Sequence, residues 1–168
     1  MTGLRAQTAA THGFVMGHLG MAVITAGITC MYVWDAESIS RLKIGETIAV
    51  DQYEFTLSEV KQGVQDNYQF ERALFDVADN GRAITNLSSE RRFYPVRNMY
   101  TTEAGFRLAP INTIFVSLSE GSPEEGWIIR AYHHPGVIWI WIGALMMALA
   151  GFISLFDRRL RFSMRESA

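Results

Sequence analysis

Two long apolar runs stand near the ends of the chain, and a segment of alternating hydrophobic and polar positions separates them. The first run extends from Gly13 to Trp34 and the second from Pro135 to Phe156, and neither contains a charged residue. Each has about 22 residues and, at 1.5 Å rise per residue, would span roughly 33 Å, enough to cross a hydrocarbon core. The pattern therefore predicts transmembrane helices over 13–34 and 135–156.

A cleaved secretory signal is the alternative for the first run, because the run lies near the N-terminus. Its apolar stretch exceeds the 7 to 15 residues typical of the hydrophobic region of a signal. Arg5 is the only Lys or Arg that precedes it. No small-residue cleavage site follows cleanly before Trp34. A membrane span is the better interpretation.

The central segment, 35–134, has the two-residue alternation of β-strands, clearest in Tyr53–Leu57 and Tyr68–Arg72. Further candidate strands are Thr47–Val50, Ala73–Val77, Ala83–Leu87, Arg92–Val96, Thr113–Leu118 and Trp127–Tyr132. Asp79-Asn80-Gly81 is typical of a hairpin with a type I′ turn, and Ser119–Gly126 is the most obvious loop. About seven strands predict a compact antiparallel all-β domain, a barrel or a sandwich.

Charge near the spans predicts the orientation. Four arginines follow the second span, whereas Asp35 and Glu37 follow the first. The arginines are Arg158, Arg159, Arg161 and Arg165. We therefore expect a cytoplasmic N-terminal segment (1–12) and a basic cytoplasmic tail (157–168), or their equivalents on the matrix side, and an extracytoplasmic β domain. That domain has more acidic than basic residues, so nothing suggests a nucleic-acid surface.

Small residues indicate close helix packing. Gly13, Gly17 and Gly20 mark one face of the first span, and Ala144, Ala148 and Gly151 are expected to mark the contact face of the second. Neither span offers an ionisable partner for His18, so we infer a larger membrane assembly. The single cysteine, Cys30, excludes an intrachain disulfide or a CxxC pair and is interpreted as a packing residue.

His18 is the main candidate for chemistry, because an imidazole inside an apolar span is costly unless it has a partner. An interhelical hydrogen bond, heme or metal ligation and a proton relay all remain open from the residues alone. His12 lies about 240° around the helix from His18, so the two cannot easily share a ligand site. His133 and His134 are expected to be exposed side chains at the membrane edge.

Four segments carry a resemblance to a known family. They are HGFVMGHLGMAV at 12–23, RRFYPVR at 91–97, TTEAG at 101–105 and GWIIRAYHHPGVIWIWIGALMMALAGFISLFDRRLR at 126–161. In this order and spacing the chain resembles the C-terminal quarter of the heme-lyase subunit of cytochrome c maturation, the CcmF family.

The resemblance implies a membrane protein that takes heme from a heme chaperone and helps attach it to the CxxCH motif of apocytochrome c, outside the cytoplasm. It also implies a permanent b-type heme in the membrane. His18 matches the family histidine that is one axial ligand of that heme, the second ligand lying on another chain. No catalytic residue is assigned to this chain.

The family's tryptophan-rich heme-handling segment, the histidines flanking it and the other b-heme ligand have no counterpart here. We therefore expect part of a multi-chain heme lyase: the C-terminal piece of a split protein or a fragment, with Met1 favouring a separate product. Its partners would be the N-terminal part of the lyase, the heme chaperone, apocytochrome c with its thiol-reducing subunits, and membrane lipid. The location would be the bacterial or mitochondrial inner membrane. The main alternative is a non-catalytic docking protein, and an unrelated two-span scaffold is a third.

Overall fold

The computed structural model describes residues 8–156, which comprise two helices and nine strands. The helices are α1 (Ala9–Val33) and α2 (Val137–Leu155). The strands are β1 (Ala36–Leu42), β2 (Thr47–Val50), β3 (Tyr53–Val64), β4 (Gln69–Asp79), β5 (Arg82–Tyr94), β6 (Met99–Glu103), β7 (Gly105–Arg107), β8 (Asn112–Ser122) and β9 (Gly126–Pro135). The basic tail on which the predicted orientation rests, with Arg158, Arg159, Arg161 and Arg165, lies outside the described residues, as do residues 1–7.

The two helices form one compact unit and the strands form another. Both helices are long and apolar enough to cross a membrane. α1 begins at Ala9, four residues before the predicted span, and α2 begins directly after Gly136, whose φ of 84° is a left-handed conformation that glycine adopts without strain.

The helices pack through small residues that repeat every seven positions. On α1 the buried residues are Gly13, Gly20 and Gly27, and on α2 they are Gly143 and Ala150. A Cβ at Gly20 would lie 2.8 Å from the Gly143 carbonyl oxygen. The backbones therefore approach closely only because these positions lack larger side chains.

The predicted contact face of the second helix is wrong. Ala144 and Ala148 are exposed, and nothing lies within 4 Å of a Cβ placed at Gly151. A seven-residue repeat keeps Gly143 and Ala150 on the contact face of α2, because seven residues complete almost two full turns. The predicted residues fall beside that face, so only the α1 half of the prediction, with Gly13 and Gly20, is confirmed.

The strands form two antiparallel sheets, one in the order β1-β9-β8-β7 and the other in the order β2-β3-β4-β5-β6. Alternate residues of both sheets point into one hydrophobic core. The largest fully buried side chains are Phe55, Phe75, Leu57, Ile114, Leu118 and Ile129. Ser89 links the sheets, since its Oγ donates to the Glu103 carbonyl at 2.8 Å and accepts from the Leu118 amide at 2.9 Å. The predicted fold class, two apolar helices flanking an antiparallel all-β domain, is confirmed.

The hairpin predicted at Asp79-Asn80-Gly81 joins β4 to β5. Asp79 pairs with Arg82, which leaves a two-residue loop. Asn80 has φ of 48° and Gly81 has φ of 77°, and positive φ at both loop positions is what a type I′ turn requires.

Several strand boundaries differ from the prediction. The candidates Tyr68–Arg72 and Ala73–Val77 belong to the single strand β4, and Ala83–Leu87 and Arg92–Val96 fall largely within β5. β1, β6 and β7 were not predicted. The expected loop Ser119–Gly126 is shorter, because β8 continues to Ser122 and pairs there with Gly126.

Candidate functional site

His18 lies on α1 beside an open groove between the two helices. The groove has a volume of about 540 Å³, within the ~300–1,000 Å³ of typical small-molecule and cofactor sites. Its lining residues are Ala10, Gly13, Phe14, Gly17, His18 and Met21 from α1, with Met147, Ala150, Gly151 and Ser154 from α2. The groove is mainly apolar, and the imidazole of His18 is its one ionisable lining group.

The imidazole of His18 is held in a defined orientation by its own helix. Its Nδ1–H donates to the carbonyl oxygen of Phe14 at 2.9 Å, and the Phe14 ring lies 4.1 Å from the imidazole, centroid to centroid. A carbonyl oxygen can only accept, so Nδ1 carries a proton, and a lone pair for a metal could come only from Nε2. Metal-bound histidines commonly have this arrangement.

Small residues leave room beside His18. A Cβ at Gly17 would be 3.7 Å from the Ala150 Cβ, and one at Gly151 would meet nothing within 4 Å. An apolar groove lined by several glycines and one imidazole suits a flat, apolar macrocycle whose iron takes nitrogen ligands. The apolar lining and the single imidazole of this groove therefore fit a heme.

His12 makes the same local bond without lining the groove. Its Nδ1–H donates to the Thr8 carbonyl at 2.9 Å, yet His12 does not line the groove beside His18. Within residues 8–156, no hydrogen bond links His18 to α2.

The expectation that His133 and His134 are exposed is wrong. His133 is only 7% exposed, with Nδ1 2.6 Å from Asp51 Oδ2 and Nε2 3.1 Å from Asn112 Oδ1. The Nδ1–H of His134 donates to Asp35 at 2.5 Å, and its side chain is partly buried. Each of these histidines of β9 contacts an aspartate that is more than 80 residues away in the sequence. Local sequence patterns do not reveal such contacts. Because both ring nitrogens of His133 are engaged, it offers no lone pair to a metal.

A second groove, of about 490 Å³, lies on the sheet that contains β3 to β6. Its polar floor runs across three strands: the Gln62 amide donates to Glu71 at 2.8 Å, and Arg91 lies 3.6 Å from the other Glu71 oxygen. The Arg91 guanidinium also lies 4.0 Å over the Tyr100 ring. The remaining lining residues are Gly63, Val64, Gln69, Phe70 and Phe93. The sequence prediction missed this groove because it depends on the pairing of β5 with the unpredicted strand β6.

The opposite face of the same strands carries an ion-pair network around Glu90. Burial raises the pKa of this carboxyl, but hydrogen bonds from Arg92 and Arg72, together with their charges, outweigh burial and hold the pKa below its ordinary value. Arg92 lies 2.8 Å from Glu90 and 3.2 Å from Glu103, and its pKa is raised chiefly by the bond to Glu90. The network fixes β4, β5 and β6 side by side, so it stabilises the strands that form the groove.

Comparison with known proteins places the chain in a family. The family profile described as "CcmF C-terminal beta-sandwich" matches residues 33–135. The cytochrome c-type biogenesis protein CcmF of Haemophilus influenzae is 34% identical over 161 residues, which cover 96% of this chain and 25% of that protein. The Escherichia coli K12 protein of the same name is 35% identical over 149 residues, covering 89% of this chain and 23% of the relative.

A solved structure named "Cytochrome c Heme Lyase CcmF" has the same fold over most of the chain. The TM-score is 0.70 at 21% sequence identity, with 86% of this chain and 24% of that chain covered. This chain thus spans about a quarter of the length of the curated relatives it matches. The chain belongs to the CcmF family and corresponds to the C-terminal portion of its longer members.

Proposed function

We propose that this chain is the C-terminal part of a membrane heme lyase that attaches heme to the CxxCH motif of apocytochrome c during cytochrome c maturation. His18 is one axial ligand of a b-type heme in the membrane, and the second ligand comes from another polypeptide. The setting of His18 carries this proposal: Nδ1 is fixed by the Phe14 carbonyl, Nε2 has no hydrogen-bond partner among residues 8–156, and the side chain lines an apolar groove that contains several glycines. The names of the relatives, which refer to cytochrome c-type biogenesis, support it.

In this role, the residues of this chain bind and orient the heme, and they transfer no chemical group themselves. The bond from Nδ1–H to the Phe14 carbonyl holds the imidazole plane, and the apolar lining of the groove would contact the macrocycle. A heme bound here would supply electron transfer. Since a ligand shared by two chains binds only the assembled state, it stabilises the assembly.

The proposed location is the inner membrane of a bacterium or mitochondrion, with α1 and α2 as spans. Both termini would lie on the cytoplasmic or matrix side and the β domain in the periplasm or intermembrane space. The proposed partners are the N-terminal part of the lyase, the heme chaperone, and apocytochrome c with its thiol-reducing subunits.

A reduced-minus-oxidised spectrum with pyridine-hemochrome quantification, on the complex purified from its membrane, tests the proposal. His18→Ala should lower the b-heme content by more than about tenfold, because even indirect partners of a metal site contribute ~10–100-fold in affinity. His12→Ala is the matched control, since His12 makes the same backbone bond without lining the groove, and it should keep the heme.

The second candidate function is a docking protein that binds apocytochrome or the heme chaperone without ligating heme. The β-domain groove favours it, because Tyr100 and Phe93 with the adjacent Arg91 form a surface suited to a peptide. Unchanged heme content in an assembled His18→Ala complex would remove His18 from the iron and leave docking as the better account.

A further inference from the structure

At one end of the β-sandwich, the chain enters β1 after α1 and leaves β9 before α2. At this end Ala36, the first residue of β1, pairs with His133, and Asn112, the first residue of β8, pairs with Pro135. Pro135 is two residues before the first residue of α2. Three turns of the sandwich lie at this end, and they differ in polarity.

Two of these turns are polar. The turn between β2 and β3 contains Asp51, whose carboxylate is bound to His133. The turn between β4 and β5 lies next to it, as shown by a hydrogen bond of 2.9 Å from the backbone N–H of Asn80 to the backbone carbonyl of Gln52. Both turns therefore carry side chains suited to water.

The third turn, between β7 and β8, is apolar and exposed. It has the sequence Leu-Ala-Pro-Ile over 108–111, without a charge. Leu108 is 51% exposed and Ile111 is 65% exposed, and Phe106 just before the turn is 60% exposed. Apolar side chains grouped at one loop indicate an interaction surface.

We propose that the loop 108–111 inserts Leu108 and Ile111 into the interfacial region of the lipid bilayer and anchors the β domain to the membrane surface. Ile111 precedes Asn112, which pairs with Pro135, so it lies within about 5 to 8 Å of the point where the chain approaches α2. An apolar helix that crosses the membrane places that point near the bilayer edge. The inference rests on the proposed membrane location of α1 and α2.

Lipid fits this surface better than a protein does. Two or three side chains fall well short of the ~800 Å² per partner that a specific protein interface buries. A short apolar loop followed by polar backbone is suited to the headgroup region, where side chains enter the hydrocarbon and the backbone stays solvated.

Site-directed spin labelling tests the anchor. Leu108→Cys and Ile111→Cys are introduced separately into a Cys30→Ala background and labelled in the assembled complex in native-lipid vesicles. Both positions are exposed, so the labels displace no core residue. Val96→Cys is the matched control: Val96 is 96% exposed and lies in the turn between β5 and β6, at the opposite end of the sandwich.

The labels at 108 and 111 should collide more with oxygen than with a water-soluble nickel chelate, and the label at 96 should show the reverse. A chelate preference at 108 and 111 would overturn the anchor by placing the loop in water, and low accessibility to both reagents would overturn it by placing the loop under protein. Extraction with alkaline carbonate tests the membrane location separately. Release of the chain would contradict that location and the anchor together, whereas retention with water-exposed labels would contradict the anchor alone.

Discussion

In α1, two histidines make the same hydrogen bond and differ in what lies beside them. His12 and His18 each donate from Nδ1 to the carbonyl four residues earlier, at 2.9 Å. Only His18 also lies 4.1 Å from an aromatic ring and lines a groove with glycine on its floor. The helix backbone thus orients both imidazoles in the same way. The two histidines differ in the space beside the ring, and only His18 lines a groove that could hold a ligand.

Glu90 is the residue whose charge matters most for the β domain, because its side chain is only 9% exposed and two arginines bind it. Its native pKa is lowered, so the unfolded chain binds the proton more tightly, and the stabilisation is present at neutral pH. It should be lost as the pH falls through the native pKa, below the ordinary glutamate value of about 4.3.

Glu90→Gln should therefore destabilise the full chain at pH 7 by about 1–3 kcal/mol, the contribution of hydrogen bonds to charged groups. The difference from wild type should shrink towards acidic pH. Denaturant unfolding in detergent between pH 7 and pH 3 measures it. Glu54→Gln is the control, since Glu54 is an exposed strand residue. A difference independent of pH would contradict this account of Glu90.

At the scale of the element, the close approach of α1 and α2 depends on glycine. A Cβ at Gly20 would lie 2.8 Å from both the Gly143 carbonyl oxygen and Met147 Cγ, closer than a carbon atom can lie without movement of the helices. Gly20→Val should separate the helices and lower the stability of the pair by about 1–3 kcal/mol, the cost of overpacking. Thermal unfolding in detergent, followed by helical circular dichroism, measures the loss.

Gly151→Val is the matched control on α2, because a Cβ at Gly151 has nothing within 4 Å. It should unfold within a few degrees of wild type. Equal destabilisation by both substitutions would mean that valine in a helix, rather than contact between the helices, is responsible.

How much of each element can be predicted depends on how local its cause is. The type I′ turn at Asn80-Gly81 is fixed by the φ preferences of two residues, so the sequence predicted it correctly. β6 and β7 have little alternation of burial, since Met99, Tyr100 and Phe106 are exposed. These strands form because β6 pairs with β5 and β7 pairs with β8, which the local sequence does not reveal. The contact face of α2 was mispredicted because a helix has several small-residue stripes, and the partner helix decides which one is buried.

At the scale of the whole molecule, the proposed heme site combines His18 of this chain with a ligand from another polypeptide. The depth of His18 in an apolar run predicted the position of the candidate ligand, and the resemblance to CcmF supplied its role. The groove of about 540 Å³ depends on how α1 and α2 pack, which the sequence did not resolve. The proposed second ligand lies on another polypeptide, so residues of this chain could not predict it.

Rescue by free imidazole tests most directly the proposed bond between the imidazole of His18 and heme iron. His18→Gly should leave a space in the groove and a complex whose b-type heme is depleted or has lost its low-spin spectrum. Adding imidazole to the assembled His18→Gly complex should restore the low-spin b-type spectrum, and the same addition to His12→Gly should change nothing. A low-spin spectrum in His18→Gly that is already complete without imidazole would contradict the claim.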